Sequence, residues 1–177
     1  MSKIKLYIAT TIDRYIARED GSLDWLESLE NPNGYDYGYG EFYGTIDTLI
    51  IGRSTYDEIL GFDVEWPYAD CKTYIITSDQ DYKTTTPNTQ AVNELDESFI
   101  NSIKESAQKD IWIFGGGKLI TEFLNMNAID EMLLTIIPVI LGSGIPLFPD
   151  NPRETNFELI NSESFDTGIV NLTYRKK

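Results

Sequence analysis

Apolar residues in this 177-residue chain fall in short, β-branched runs separated by polar and glycine-rich stretches. Residues 4–10 form such a run and predict a buried strand, because an unbroken apolar stretch leaves no face for solvent. Residues 48–52, 73–78 and 111–114 repeat the pattern, and 131–140 predict a fifth, longer strand. Between them, residues 54–60 predict a short helix ended by Gly61, 96–108 a helix with Asp96 as its N-cap, and 118–125 a third helix. Residues 12–26 read as a loop carrying Asp20-Gly21 and Trp25, 84–88 as a polar turn, and 141–150 as a Gly/Pro loop. Residues 31–44 stand apart, with four glycines and four tyrosines among few aliphatics. Residues 157–163 and 170–175 alternate in polarity and predict an antiparallel hairpin around 166–168.

Strands alternating with helices and then a hairpin predict an α/β fold, a mostly parallel central sheet with an antiparallel end. No repeat, low-complexity tail or long linker divides the chain, so one domain over residues 1–177 is expected.

Charge narrows the partners. The net charge of −15 repels nucleic-acid phosphates and anionic lipid, so neither is an expected partner, and an anionic cofactor would need a local basic site. The single cysteine, Cys71, allows no intrachain disulfide, which suits a reducing compartment. There is no histidine, which excludes Ser-His and Cys-His mechanisms and imidazole-based zinc sites; no metal is expected. The first residues are polar and do not read as a signal peptide, and no apolar run approaches the roughly 18 residues that span a membrane. A soluble, cytoplasmic protein is expected.

Three segments carry candidate chemistry. In Ile111-Trp112-Ile113-Phe114-Gly115-Gly116-Gly117-Lys118-Leu119 a strand runs through three glycines into a helix, whose start offers free N–H groups and a positive dipole end to a phosphate, with Lys118 adding charge. Leu49-Ile50-Ile51-Gly52-Arg53-Ser54-Thr55-Tyr56 repeats strand, glycine and helix start, with Arg53 where a phosphate would sit and two hydroxyls beside it. Thr77-Ser78 closes the third strand, where hydroxyls face the ligand crevice of an α/β sheet. Each segment alone also reads as an ordinary turn. Together they place Arg53, Ser78 and Lys118 at the ends of three strands, as a phosphorylated dinucleotide requires.

With Ala9-Thr10-Thr11-Ile12-Asp13-Arg14-Tyr15-Ile16-Ala17 at the start, Asp20-Gly21-Ser22-Leu23-Asp24-Trp25-Leu26 after it, and Pro138-Val139-Ile140-Leu141-Gly142-Ser143-Gly144-Ile145-Pro146-Leu147-Phe148 near the end, these motifs resemble the dihydrofolate reductase superfamily. The likeness is to its bacterial branch related to the C-terminal reductase domain of riboflavin biosynthesis, and it covers nearly the whole chain. It implies a three-layer fold with helices on both faces of the sheet. It also implies NADPH as cofactor: Ala9 and Ile16 at the nicotinamide, Gly52, Arg53, Ser54 and Thr55 at the phosphates, and Thr77, Ser78 and Lys118 with Arg53 around the 2′-phosphate. Phe114, Gly115, Gly116, Gly117 and Leu119 belong to the pyrophosphate loop, where the family has a cis Gly-Gly peptide. Thr135 would lie beside the reducible ring, and Trp25 would either cover the substrate or sit in the core.

Two family features are displaced. No carboxylate aligns cleanly with the family's buried acid; Asp36 and Glu41 are the nearest candidates, and Tyr39 is a candidate proton donor. In place of the arginine that binds a folate tail stands Asp70-Cys71-Lys72, with Lys72 a shifted substitute. Tyr35, Tyr37, Tyr39 and Tyr43 read either as an aromatic wall for a flat heterocycle or as packing and dimer contact. The expected activity is hydride transfer from NADPH to a planar heterocycle, pterin-like or aminouracil-like. The rivals are the riboflavin-pathway phosphoribosylaminouracil reductase and a non-catalytic NADP(H)-binding protein. A homodimer is expected, from the long apolar fifth strand and the habit of the riboflavin branch.

Overall fold

The computed structural model describes residues 1–62 and 64–177. The chain runs β1 (Ile4–Thr11), β2 (Tyr15–Ala17), α1 (Asp24–Glu27), α2 (Tyr39–Gly44), β3 (Ile46–Gly52), α3 (Arg53–Leu60), β4 (Lys72–Ile76), β5 (Thr89–Val92), α4 (Glu97–Ser106), β6 (Asp110–Gly115), α5 (Gly117–Asn125), β7 (Glu131–Ile137), β8 (Ile145–Pro146), β9 (Phe157–Ser164) and β10 (Val170–Lys176). One eight-stranded sheet has the order β5-β4-β3-β6-β1-β7-β10-β9; β2 and β8 form a small second sheet. Strands β1, β3, β4, β5, β6 and β7 pair in parallel, and β10 is antiparallel to both β7 and β9.

Period-two alternation sends neighbouring residues to opposite faces of this sheet. Ile50, Ile111 and Ile113 join Ile4 and Leu6 under α4 and α5, through Ile100, Ile103, Ile120 and Phe123. Leu49, Ile51 and Trp112 face the other way and are covered by Phe42 of α2 and Tyr56 of α3. Helices therefore cover both faces, as the resemblance implies.

The connection after β3 leads to β4, while the connection after the adjacent β6 leads across to β7. Neighbouring strands whose connections diverge leave a crevice beyond their carboxyl ends, here between β3 and β6, and in open α/β sheets such a crevice is where ligands bind.

Several expectations change. The fifth strand ends at Ile137 rather than at residue 140: Pro138 has no N–H to pair, and Val139 N donates back to Ile137 O at 2.7 Å. Ile140 is 70% exposed. The strand's edges are paired by β1 and β10, while Leu133, Leu134 and Ile136 on its faces remain half-buried. The third strand ends at Ile76, leaving Thr77 and Ser78 just beyond it. Strand β5 and helix α2 were not expected from the pattern; β5 is four residues on the sheet edge, and α2 is a single glycine-interrupted turn and a half. The hairpin forms as expected, with Gly168 N donating to Phe165 O in its turn.

At the opposite end of the sheet from the crevice, Glu131 is 9% exposed among three cations: Lys3 Nζ at 2.7 Å, Arg175 Nε at 3.3 Å and Lys5 Nζ at 4.0 Å. Burial pushes this carboxyl up, but the hydrogen bonds from Lys3 and Arg175 and the charges of Lys3 and Lys5 outweigh it and hold the group below its ordinary value. A depressed carboxyl contributes stability above its unfolded pKa and loses it as pH falls through the folded value. Glu131→Gln is therefore expected to cost about 1–3 kcal/mol at neutral pH. Urea unfolding should show that difference shrinking in acid; a difference independent of pH would contradict the ion-pair account.

Candidate active site

Helix α3 follows β3 without a loop, and α5 follows β6 after Gly116. Their N-cap residues are Gly52 and Gly116, so no side chain caps either helix, and neither first turn holds an acid. Helix α4, which starts elsewhere, is capped by Asp96, whose Oδ1 accepts from Phe99 N at 2.7 Å, and carries Glu97. The two uncapped starts thus leave first-turn N–H groups and positive dipole ends free in one crevice. They touch each other: a Cβ on Gly116 would lie 3.3 Å from Thr55 Oγ1. Gly115 has φ +145° and its peptide bond to Gly116 is cis. At Gly117 a Cβ would fall 2.6 Å from Pro146 O and 3.0 Å from Pro149 Cδ, so only glycine lets the 141–150 loop close against the α5 start.

The crevice opens into a cleft of about 1300 Å³. Each candidate cofactor residue lines it. Ala9 and Ile16 come from β1 and β2, Gly52, Arg53, Ser54 and Thr55 from the β3–α3 turn, and Thr77 and Ser78 from the end of β4. Phe114, Gly115, Gly116, Gly117, Lys118 and Leu119 come from the β6–α5 turn. Arg53 is not the free cation the sequence suggested. Its Nη1 donates to Asp79 at 2.9 Å, its Nε to Asp57 at 3.3 Å, and it lies 4.6 Å from the Tyr82 ring centre. Lys118 is exposed on the first turn of α5.

Tyr7, Ala9 and Leu26 also line a second cavity of about 260 Å³, so the two meet at Ala9. Thr135 lies in this smaller cavity, its hydroxyl donating to Asn171 Oδ1 at 2.9 Å. Asn171 Nδ2 in turn donates to Tyr37 O at 2.7 Å. Burial raises the Tyr7 phenol above its ordinary pKa, with the Asp36 and Tyr39 charges adding and the Thr135 hydroxyl opposing, so it stays protonated.

The candidate acids do not supply a buried proton donor. Asp36 lines the small cavity, but its oxygens accept Gly40 N and Gly38 N, both at 3.0 Å, and these bonds lower its pKa and keep it ionised. Glu41 is exposed on α2 and lines neither cavity.

The tyrosine cluster divides. Tyr39 lines the large cleft, stacked on Tyr43 at 5.7 Å, whereas Tyr35 and Tyr37 pack edge-on against Phe165. Lys72 begins β4 at the far end from the cleft and lies 4.9 Å from the Tyr74 ring centre, so it is no substitute for a tail-binding arginine. Trp25 takes the core position rather than the substrate-covering one. It is 4% exposed, packs with Ile137 and Ile169, and lines neither cavity; Leu26 takes the lining position instead. Sequence reasoning missed Tyr7, Tyr68 and Trp112, which form an aromatic wall of the cleft, with Tyr68 and Trp112 edge-on at 5.7 Å. The signal was there for Tyr7, two residues before Ala9 on the same face of β1.

The model of the RibD C-terminal domain matches residues 61–171, more than half of the chain. YwjB of Bacillus subtilis (strain 168) is 40% identical over 168 residues, spanning 94% of each chain. A Shewanella sp. PV-4 protein assigned to riboflavin biosynthesis is 32% identical and superposes with a TM-score of 0.86 over 99% of both chains. Dihydrofolate reductase from Enterococcus faecalis, in complex with NADP(H) and RAB-propyl, has the same fold at 21% identity, with a TM-score of 0.70 over 99% of this chain and 96% of that one.

Trp25→Phe is expected to cost about 1–3 kcal/mol of stability through lost core packing, measured by thermal unfolding, and to leave dinucleotide affinity unchanged. Weakened affinity with unchanged stability would return Trp25 to the cleft.

Proposed function

Because the chain belongs to the RibD C-terminal domain family, we propose that it is an NADPH-dependent reductase that transfers hydride to a planar heterocycle of pterin or aminouracil type. The observation that carries this reading is the pair of uncapped helix starts facing one crevice, whose cleft has an aromatic wall and meets a smaller cavity at Tyr7, Ala9 and Leu26.

The residues present fit a dinucleotide. First-turn N–H groups of α3 and α5, with the Ser54 and Thr55 hydroxyls, would hold the pyrophosphate. Arg53, Ser78 and Lys118 would surround the adenosine ribose, and the backbone of Ala9 and Ile16 would hold the carboxamide. NADPH when bound supplies a hydride from its C4, leaving NADP⁺. Tyr7, which lines both cavities, would orient a flat acceptor, and Trp112 and Tyr68 would shield the cleft side from water. The proton that balances the hydride goes to the acceptor's heteroatom; Tyr7 and Thr135 are the protic side chains beside Ala9 that stay protonated at neutral pH.

The substrate class follows from charge. Among the described residues lining the small cavity, Asp36 is the one charged group, so an acceptor that offers N–H donors suits it. A phosphoribosyl substrate would need a cation there, and Arg53 and Lys118 are the cations of the large cleft and serve the cofactor. This disfavours the riboflavin-pathway substrate. The lack of a protonated carboxyl favours one second reading, a protein that binds NADP(H) without turnover.

Nicotinamide fluorescence should report NADPH binding in the micromolar range, weakened about tenfold or more in Lys118→Ala. An acceptor screen beginning with dihydrofolate and pterins, followed by NADPH consumption, separates the two readings: consumption with any acceptor supports the reductase, and binding without consumption supports the second. No binding at all sinks both.

A further inference from the structure

Resting on that reading, we propose that Asp79, seconded by Asp57, sets cofactor specificity by holding Arg53 in an ion pair, so that the adenosine-ribose corner takes NADH nearly as well as NADPH.

Arg53 is the cation placed for a 2′-phosphate, yet two carboxylates already occupy it. Asp79 Oδ2 accepts from Nη1 at 2.9 Å and Asp57 Oδ2 from Nε at 3.3 Å. The Tyr82 ring covers the guanidinium and its hydroxyl donates to Asp57, so that acid too is fixed. Asp79 cannot swing aside freely. Its Oδ1 accepts Asp81 N at 3.0 Å, its own N–H donates to Thr77 Oγ1 at 3.2 Å, and its carbonyl accepts Asn93 Nδ2 at 2.8 Å. Two of the cleft's lining residues, Thr77 and Asn93, thus fix the Asp79 backbone next to Ser78, and Asp81 N holds its carboxylate.

The charges decide what this corner prefers. One guanidinium faces two carboxylates, and with Lys118 counted the corner carries no net positive charge. Asp57 and Asp79 do not line the cleft themselves but pair with the Arg53 that does, so a phosphate monoester reaching Arg53 meets a guanidinium whose charge two carboxylates already offset. A ribose 2′-hydroxyl brings no charge, so it loses nothing when the Arg53 charge is offset. In dinucleotide sites at strand ends an acid selects the 2′-hydroxyl and an arginine selects the 2′-phosphate. Here both stand at one corner, tied to each other. Arg53 keeps its Nη2 donors, and Ser78 and Lys118 remain beside it, so NADPH is still accepted.

The experiment is a fluorescence titration of the full chain with NADPH and with NADH, in the wild type and in Asp79→Asn. The amide oxygen can still accept from Asp81 N, so the turn is preserved while the charge is removed. Wild type should bind the two cofactors within about tenfold of each other. Asp79→Asn should tighten NADPH about tenfold, leave NADH unchanged or weaker, and steepen the salt dependence of NADPH binding. Competition by 2′,5′-ADP against 5′-AMP reads the same corner without the nicotinamide, and Asp57→Asn should move it in the same direction if Asp79→Asn unfolds. A wild type that prefers NADPH by more than about a hundredfold, or an Asp79→Asn preference equal to wild type, overturns the specificity proposal and leaves the reductase reading standing. Failure of both dinucleotides to bind the wild type removes that reading and this proposal with it.

Discussion

Two helices begin with their first-turn N–H groups unclaimed and aimed into the same crevice, and the rest of the molecule is arranged around that fact. Free N–H groups at a helix start call for a partner, and most helices supply one from their own sequence. Helix α4 does so with Asp96. Helices α3 and α5 present glycine at that position, and α5 is closed over by Pro146 and Pro149 so tightly that no side chain could replace Gly117. The strand order makes the juxtaposition unavoidable. Because β3 and β6 are neighbours whose connections diverge, their helices lie on opposite faces while their starts meet at Gly52, Thr55 and Gly116.

The acidity of the chain is distributed to suit this. With a net charge of −15, carboxylates crowd most of the surface, yet both crevice helices begin without one. At the other end of the sheet, Glu131 and Asp130 are consumed by Lys3, Arg175, Lys104 and Lys176. The cleft is not free of acids: Glu19, Glu58, Glu122 and Asp150 line it, and Asp57 and Asp79 pair with its Arg53.

How much of this was legible depends on the range of the interaction. The glycine turns and their helices are local, so residues 52–55 and 114–119 could be read directly, and the motifs together identified the fold. Short elements were not legible: β5 is four residues whose apolar content is no higher than a loop's, and it is a strand only because β4 pairs with it. Pairings between distant residues were not legible either. Nothing near Arg53 in sequence says that Asp79 will reach it, and nothing near Trp25 says that Ile137 and Ile169 will bury it. Tyr7 was legible in principle through its parity with Ala9, but an aromatic residue in a strand reads first as core. The buried acid was sought in the tyrosine-rich segment on the strength of resemblance. There the backbone N–H groups of Gly38 and Gly40 turn the nearest candidate, Asp36, into a fixed anion.

The most direct test of the central claim is a crystal structure of the protein soaked with NADP⁺. The account predicts the pyrophosphate within hydrogen-bond distance of the first-turn N–H groups of both α3 and α5, with the nicotinamide against Ala9. A dinucleotide seated elsewhere, with those N–H groups left facing solvent, would contradict it.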